Sequence, residues 1–385
     1  GIRASEWIQT GGGDGFQSRF HPEDENIIYS MSQDGAISRL DKRTGISVSI
    51  QPTVAEGAAQ PRWHWDTPFI ISPYSPERLF MAGNRLYRSD DRGDHWQAVS
   101  DDLTRQLDPD KQVVMGGIWG TNAVQKNRFS TSLSVSTALS ESPLKEGLLY
   151  VGTDDGLVQV SEDGGDDWRR IERFPGVPEQ SYVSDICASQ HDADMLYVAF
   201  NNYQRGDFRP YLLRSQDRGR TWTSIASNLP DRHVVWSIVE DHGNRDLLFA
   251  GTEFGLFFTV DGGVHWIQLK SGAPTIQFRD LAIQRREDDL VAATFGRGLY
   301  VLDDYAALRG LTPKTLAEEA SLLPPRAARV YSELAYVVAA FGNATAANPP
   351  FGATLSYHLR EGFAQDDKHK VVLIITDAQG KPVRQ

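Results

Sequence analysis

The chain has 385 residues, a formal net charge of −12 at pH 7 and one cysteine, Cys187. An acidic chain without a basic cluster argues against nucleic acids and anionic membranes as partners, and a lone cysteine excludes an internal disulfide or a cysteine-based metal site. No apolar run approaches the length of a membrane span, so we expect no insertion into a bilayer. The first residues contain no signal-peptide hydrophobic region, which predicts that a signal was removed or that the chain is a fragment.

The elements predicted along the chain are short strands in a repeated order. Each repeat has a first strand, a polar turn and a buried second strand that ends in small residues. The second strands predicted in this way are residues 28–32, 79–83, 149–153, 196–200, 248–252 and 290–294. Four strands per repeat predict an all-β chain folded as a β-propeller of four-stranded antiparallel blades, with six recognisable blades and a seventh expected. Residues 4–9 predict an outer strand whose inner strands are absent or come from the other end of the chain, so we expect a truncated N-terminus.

Four octets of one spacing follow four of these strands. Each has a hydroxyl residue, an Asp two positions later, a Gly two further on and a Trp three further on. In such a turn the carboxylate and hydroxyl accept turn amides, Gly supplies a positive φ and Trp anchors the next strand, so we expect scaffold and not catalysis. The octet residues are Ser89, Asp91, Gly93 and Trp96; Ser161, Asp163, Gly165 and Trp168; Ser215, Asp217, Gly219 and Trp222; and Thr259, Asp261, Gly263 and Trp266.

The chain after the sixth repeat has a different pattern. Residues 1–310 are assigned to the propeller and 311–330 to a helical, proline-rich linker, because residues 313–323 have a helical pattern that prolines then end. Residues 331–385 predict the start of an immunoglobulin-like β module. So few strands cannot close a sandwich, which predicts that the C-terminus is cut as well.

The octet spacing resembles the Asp-box, or BNR, repeat of sialidases, family-74 xyloglucanases and sortilin-type receptors, all of which are β-propellers. Other segments resemble a bacterial sortilin-like, glycosyl-hydrolase-like group over roughly residues 5–308. These segments are residues 12–15, 65–68, 152–156, 208–211, 251–256 and 293–298. The resemblance implies a secreted or periplasmic protein with a carbohydrate-related function.

Propeller topology separates the octets from the other links between strands. Octets join third to fourth strands and so share one face. Links from second to third strands, and from one blade to the next, emerge on the opposite face around the channel. That face carries the ligand site in most propellers, and here its links are rich in aromatic, arginine and carboxylate side chains.

Six residues on these links are predicted to bind a ligand: Trp63, Trp65, Tyr203, Arg205, Arg209 and Arg297. Trp63 and Trp65 share one face of a strand, so one of them can belong to the core while the other tilts outward. Arg297 lies between two glycines, which lets its backbone approach a ligand. The alternative for Arg297 is an ion pair with Asp303 or Asp304.

Glycoside hydrolysis needs two carboxylates on either side of the scissile bond. The candidates on the same face are Asp14, Asp155, Asp207 and Glu253. Asp14 and Asp155 each precede a glycine, so both can instead cap turns. A sialidase is not favoured, because the early Arg-Ile-Pro segment of that family is missing.

No metal-ligand spacing is present, so we predict no metal site and no cofactor. The carboxylates at residues 108–110 and 154–155 are the only candidates for a structural Ca²⁺, and neither lies in an EF-hand-like loop. The leading hypothesis is an exported propeller that binds a glycan or an extended peptide on the face opposite the octets. The second is a glycoside hydrolase with an Asp/Glu pair at the channel mouth. The third is a scaffold in a larger secreted assembly, whose partners include flanking parts of a longer polypeptide.

Overall fold

The computed structural model describes residues 8–114, 116–120, 123, 133–328, 352–362 and 372–384. These residues form two compact units, of which the first ends at Tyr305 and the second begins at Ala306. The described residues of the first unit form six antiparallel sheets of three or four strands and one small hairpin. The predicted outer strand at residues 4–9 lies mostly outside the described residues, so that prediction stays untested.

The strands of the first three sheets follow one another in sequence. The first sheet has β1 (Ser18–Phe20), β2 (Ile27–Met31), β3 (Ile37–Asp41) and β4 (Ile46–Ser49). The second has β5 (Phe69–Ile71), β6 (Leu79–Ala82), β7 (Leu86–Ser89) and β8 (Gln97–Ala98). The hairpin is β9 (Val113–Val114) with β10 (Gly117–Ile118). The third sheet has β11 (Ser136–Glu141), β12 (Leu149–Thr153), β13 (Val158–Ser161) and β14 (Arg169–Ile171).

The remaining sheets of this unit have the same order. The fourth has β15 (Tyr182–Ala188), β16 (Leu196–Asn202), β17 (Asp207–Ser215) and β18 (Thr223–Ser224). The fifth has β19 (Val235–Glu240), β20 (Leu248–Thr252), β21 (Gly255–Thr259) and β22 (Ile267–Leu269). The sixth has β23 (Phe278–Gln284), β24 (Asp289–Thr294) and β25 (Leu299–Leu302). Short 3₁₀ turns span Gln33–Gly35, Pro109–Lys111, Tyr203–Arg205 and Tyr305–Gly310.

The first strands of successive sheets lie side by side, as β11 with β15, β15 with β19 and β19 with β23. The predicted all-β propeller is therefore confirmed, and its described part has five four-stranded blades and one three-stranded blade. A blade can bury each of its two faces only against a neighbour, and the apolar core accordingly lies between blades. One such cluster, for example, joins Tyr150 and Val160 of the third blade to Val198 and Phe200 of the fourth.

Small residues near the ends of second strands let the next blade approach closely. A Cβ on Gly152 would lie 2.3 Å from Val183 Cγ1 of the following blade. A Cβ on Gly251 would lie 2.6 Å from the carbonyl oxygen of Phe278. The small residues therefore set the spacing between the inner strands that surround the axis.

Each octet forms a hydrogen-bonded turn between the third and fourth strands of its blade. In the fourth blade, Ser215 Oγ donates to Asp217 Oδ1 at 2.8 Å and accepts the Gly219 amide at 2.7 Å. The other three octets repeat both bonds. The octet glycines have positive φ, as large as 112° at Gly165, which explains why that position is glycine.

The octets also fasten each blade to the one before it. In three octets the Trp Nε1 donates to a carbonyl just after the preceding blade's fourth strand: Trp96 to Ile50, Trp168 to Val99 and Trp266 to Ile225. The glycine of the octet packs on the same residue, since a Cβ on Gly263 would lie 2.8 Å from Ile225 Cβ. The contact between blades was not anticipated from the sequence.

The described part of the second unit contains one short helix, α1 (Pro313–Ala317), with a capping box between Thr312 and Thr315. The helix is shorter than the sequence pattern predicted. It ends because the chain turns extended at Glu318 and then pairs β26 (Ala320–Leu322) with β27 (Tyr357–Leu359). A further pair joins β28 (Ile375–Thr376) to β29 (Pro382–Arg384). Much of the predicted immunoglobulin-like module lies outside the described residues.

Candidate functional site

A cavity of about 370 Å³ lies at the axis of the propeller and is lined by residues of all six blades. Its lining comes mainly from the starts of first strands and from the links before them. The octets lie beyond the opposite ends of the antiparallel strands, where third strands end. The cavity is therefore the channel mouth on the face opposite the octets.

Four inner strands carry a β-bulge at the same place, close to this mouth. The extra residues, which have no partner on the second strand, are Thr137, Ser184, Trp236 and Arg279. A bulge turns a side chain away from the regular alternation of the strand, and bulges are common beside active sites. All four extra residues line the cavity. The bulges therefore bring the side chains of four blades to one point.

Two of the bulged residues contact each other across blades five and six. The guanidinium of Arg279 lies 3.9 Å from the ring centroid of Trp236, a close cation–π contact. Tyr203 approaches Trp236 edge-on, with ring centroids 5.5 Å apart, and 41% of its own surface is exposed. Trp236 is buried. Tyr203 is therefore the aromatic ring of this group that a ligand can contact.

A polar pair lines another part of the cavity wall. His64 Nε2 lies 3.3 Å from Tyr182 Oη, and the Asp66 amide donates to His64 Nδ1 at 3.0 Å. Burial lowers the pKa of His64, because an imidazolium loses more hydration than a neutral ring. His64 is therefore neutral near pH 7, and it positions Asp66 through the backbone.

Asp66 and Asp280 present their carboxyl groups to the cavity. Burial raises the pKa of Asp66, the nearby charge of Asp280 raises it further, and a bond from Gln17 partly offsets both. Asp66 Oδ1 has neither solvent-accessible surface nor a hydrogen-bond partner among the described residues. Asp280 keeps accessible surface, yet protein atoms surround it on the cavity wall and raise its pKa by desolvation. Both groups lie in an environment that disfavours their charge.

Asp185 lies deeper in the same wall. Burial raises its pKa to about 7, although its Oδ2 accepts the Ile238 amide at 2.9 Å. The bond ties the fourth blade to the fifth at the level of the bulges. Asp185 therefore supports the site and also contributes to its charge.

The four predicted catalytic carboxylates occupy different surroundings. Asp14 is exposed, and its amide is held by the Gln33 side chain at 3.0 Å. Asp155 is buried and accepts the Thr153 hydroxyl at 2.6 Å and the Arg105 amide at 2.8 Å. None of the four predicted carboxylates lines the cavity.

The other two carboxylates are engaged by neighbouring side chains. Asp207 accepts two bonds from Arg209, and these hold its pKa far below its usual range. Glu253 Oε2 accepts from Trp236 Nε1 at 3.1 Å and from Gln277 Nε2 at 2.7 Å. Glu253 therefore acts on the cavity only through Trp236.

The six predicted ligand-binding residues also lie in different surroundings. Trp63 packs in the core between the first two blades, whereas Trp65 is 37% exposed. Arg205 donates to the carbonyls of residues 179 and 180, and Arg209 is paired with Asp207. Arg297 is exposed and forms no ion pair with Asp303 or Asp304 among the described residues. Tyr203 is the one member of the set that lines the cavity.

Asp66, Asp280, Trp236 and Arg279 were not selected from the sequence. Each stands near the start of a first strand, and Arg279 and Asp280 lie between the apolar residues Phe278 and Leu281. A charged side chain in an otherwise buried strand is costly unless it has a partner or a task, and that was the available signal. Where the bulges fall depends on strand register, which the sequence pattern does not specify.

Within the described ranges, no group of three or more His, Cys, Asp or Glu side chains is arranged to hold a metal ion. The same part of the chain has no helix with the length and apolarity needed to cross a bilayer.

No model of a known protein family matches the sequence. The chain is 24% identical over 308 residues to an oligoxyloglucan-reducing end-specific xyloglucanase of Emericella nidulans, covering 77% of this chain and 32% of that protein. An extracellular domain described as part of a hybrid two-component system of B. thetaiotaomicron has a similar fold, with a TM-score of 0.50, 16% identity and coverage of 77% and 32%. The GH74 xyloglucanase of Xanthomonas campestris gives a TM-score of 0.46 at 17% identity, over 75% of this chain and 52% of that one.

These comparisons show a β-propeller with distant similarity to GH74 xyloglucanases. The chain spans about a third of the length of the curated relative from Emericella nidulans.

Proposed function

We propose that the propeller binds a glycan at the channel mouth, on the face opposite the octets. The observation that carries this proposal is the convergence of four equivalent bulges on one cavity. Together they supply an aromatic and arginine pair, hydroxyl groups and an adjacent set of carboxyl groups. Sugar-binding sites combine such groups, because ring faces stack on aromatic side chains and hydroxyls donate to carboxylates.

The similarity to xyloglucanases supports a glycan over a peptide as the ligand. Their names describe action on a glycan, and the distant similarity to the Emericella nidulans enzyme covers 77% of this chain. The exposed aromatic rings of Tyr203 and Trp65 lie on links of the mouth face, where a chain longer than the cavity would continue.

The first experiment is a glycan array probed with the whole chain, followed by calorimetry on the hits. Tyr203→Ala should weaken binding by about tenfold, since loss of one stacking ring costs on the order of 1 kcal/mol. The matched control is Tyr74→Ala, a tyrosine 38% exposed on a turn of the octet face. Binding that both variants weaken equally, or an array without hits, would contradict the proposal.

Glycoside hydrolysis is the second candidate, and the raised pKa values of Asp66 and Asp280 favour it. A carboxyl group whose charge is disfavoured can stay protonated to act as a general acid beside an ionised partner. The same array hits should be incubated with the protein and analysed for shortened products. Products that disappear in Asp66→Asn and Asp280→Asn, but persist in Asp207→Asn, would assign the reaction to the cavity pair.

A further inference from the structure

This inference rests on the proposed glycan site and concerns which glycan it accepts. The cavity wall carries three carboxyl groups, from Asp66, Asp185 and Asp280, and two arginines, Arg19 and Arg279. A neutral sugar would leave that charge distribution as it is. Whether neighbouring groups neutralise these carboxyl groups therefore determines which ligand charge the cavity favours.

The two arginines do not neutralise the carboxyl groups by direct contact. Arg279 lies over the ring of Trp236, and Arg19 Nη2 donates to Gln17 Oε1 at 3.1 Å. Within the part of the chain that the structure describes, neither forms an ion pair with a carboxylate. The charges of Arg19 and Arg279 lower the pKa of Asp280 and Asp66, respectively, without direct contact. The three carboxyl groups of this wall nevertheless outnumber its two arginines.

Among the described residues, two buried oxygen atoms of this wall have no hydrogen-bond partner of normal geometry. One is Asp66 Oδ1, and the other is the hydroxyl of Ser237, a residue only 2% exposed, although that hydroxyl lies close enough to Asp185 to lower the pKa of its carboxyl. Buried polar atoms are rarely left unpaired, and those that are often await a ligand group. Both atoms belong to residues that line the cavity.

We propose that the channel mouth selects a glycan that carries a protonated primary amine, so that a 2-amino-2-deoxy sugar residue is the preferred unit in the cavity. An ammonium group brings one positive charge and three donors to Asp66, Asp280 and Ser237. A neutral hydroxyl in the same place brings one donor and no charge. The net charge of −12 favours the approach of a cationic chain over a longer range.

The test uses three β-1,4-linked tetrasaccharides that differ only at carbon 2: glucosamine, N-acetylglucosamine and glucose tetramers. Calorimetry is run at about pH 6, below the usual pKa range of amines. The glucosamine tetramer should bind about tenfold more tightly than either neutral tetramer, because a hydrogen bond between charged groups is about twice as strong as a neutral one.

Variants separate the cavity from the general acidity of the chain. Asp66→Asn and Asp280→Asn should each reduce that preference by about fivefold or more, through loss of one charge-assisted bond. Asp14→Asn removes an exposed charge outside the cavity and should leave the preference intact. Circular dichroism and thermal unfolding of each variant establish that it is folded.

The outcomes distinguish this inference from the proposed function. Equal binding of the three tetramers, or a preference that Asp14→Asn lowers as much as Asp66→Asn, overturns amine selection and leaves glycan binding standing. No binding of any tetramer, together with an array without hits, overturns the proposed function itself. Tight binding of a lysine-containing peptide without glycan binding overturns both and assigns the cavity to a peptide side chain.

Discussion

At the octet face, Asp91 and Asp217 accept hydrogen bonds from the amides and side chains of their own turns, which hold the pKa of each carboxyl at about 2. At the channel mouth, Asp66 and Asp280 are surrounded by protein with fewer donors, and their pKa values are raised. The same residue type is therefore stabilised as an anion on one face and destabilised on the other. Carboxylates whose oxygens accept several hydrogen bonds stabilise the fold. Carboxyl groups whose ionised form is disfavoured can instead gain from a ligand that supplies hydrogen-bond donors.

Asp154 shows that a raised pKa alone does not identify a residue of the candidate site. Burial raises its pKa to about 7, yet its two oxygens accept the amides of Ser134 and Val135 at 3.1 and 2.8 Å. Asp154 is thus a half-buried turn residue and does not line the cavity. A site assignment therefore needs an accessible cavity as well as a raised pKa.

The largest expected effect is at the octet face, in Gly165→Ala. The new Cβ would lie 2.6 Å from the Val99 carbonyl oxygen of the preceding blade, at a φ of 112°. We expect the free energy of unfolding to fall by about 3 kcal/mol, from overpacking combined with backbone strain. Urea denaturation followed by tryptophan fluorescence measures this.

The neighbouring variant Gly164→Ala is the control for Gly165→Ala. Gly164 also has a positive φ, of 84°, but a Cβ there would meet nothing within 4 Å. It should cost about 1 kcal/mol, from backbone strain alone. Equal losses at the two positions would show that the contact with Val99 does not fasten the blades.

An intermediate effect is expected for Asp217→Ala. The variant removes the acceptor of the Ser215 hydroxyl and of the Thr221 amide and hydroxyl, so stability at pH 7 should fall by about 2 kcal/mol. Because the folded pKa of Asp217 is lowered to about 2, its stabilisation is complete above its ordinary pKa of 3.8 and is lost as pH falls towards 2. The difference from wild type should narrow over that window.

The exposed Asp166, in the octet of the third blade, provides a control for Asp217. Asp166→Ala should change stability by less than about 0.5 kcal/mol at any pH in the series. If both alanine variants lose the same stability, the hydrogen bonds of the octet carboxylate do not stabilise the turn.

The smallest expected effect is a gain in the free energy of unfolding, from a substitution at the channel mouth. Asp280→Asn should raise the free energy of unfolding at pH 7 by less than about 0.5 kcal/mol, because it removes a charge that desolvation disfavours but that solvent partly screens at this exposed residue. A raised folded pKa costs stability above that pKa, and the cost fades as pH falls to the unfolded value. The gain should therefore vanish below about pH 4. If Asp280→Asn is less stable than wild type at pH 7, the protein does not disfavour the ionised carboxylate at the mouth, and the contrast with the octet carboxylates is wrong.

The architecture could be predicted from the sequence because the features that determine it are local in the chain. Strands at a regular interval and octets with one spacing predicted the propeller, and the structure contains them at nearly the expected positions. The hairpin turn of an octet needs only a hydroxyl, a carboxylate and a glycine within eight residues. A helix at residues 313–323 was overestimated, because pairing of residues 320–322 with a distant strand overrides the local pattern.

The candidate site was much less predictable, because its geometry is not local. The face that carries the cavity was predicted from topology, and Tyr203, which lines the cavity, was among the selected residues. Asp66 and Asp280 are 214 positions apart in the chain, and they meet only because first strands gather around one axis. Arg279 and Trp236 enter the cavity through bulges, whose positions depend on how first and second strands align.

The octet joints also have a consequence for the number of blades. Four successive joints, from the first blade to the fifth, place an octet glycine against a single aliphatic residue of the blade before it. Three of these joints add the tryptophan hydrogen bond. A duplicated blade from this part of the propeller would therefore carry both halves of the contact between blades, while the residues facing the axis remain free to diverge.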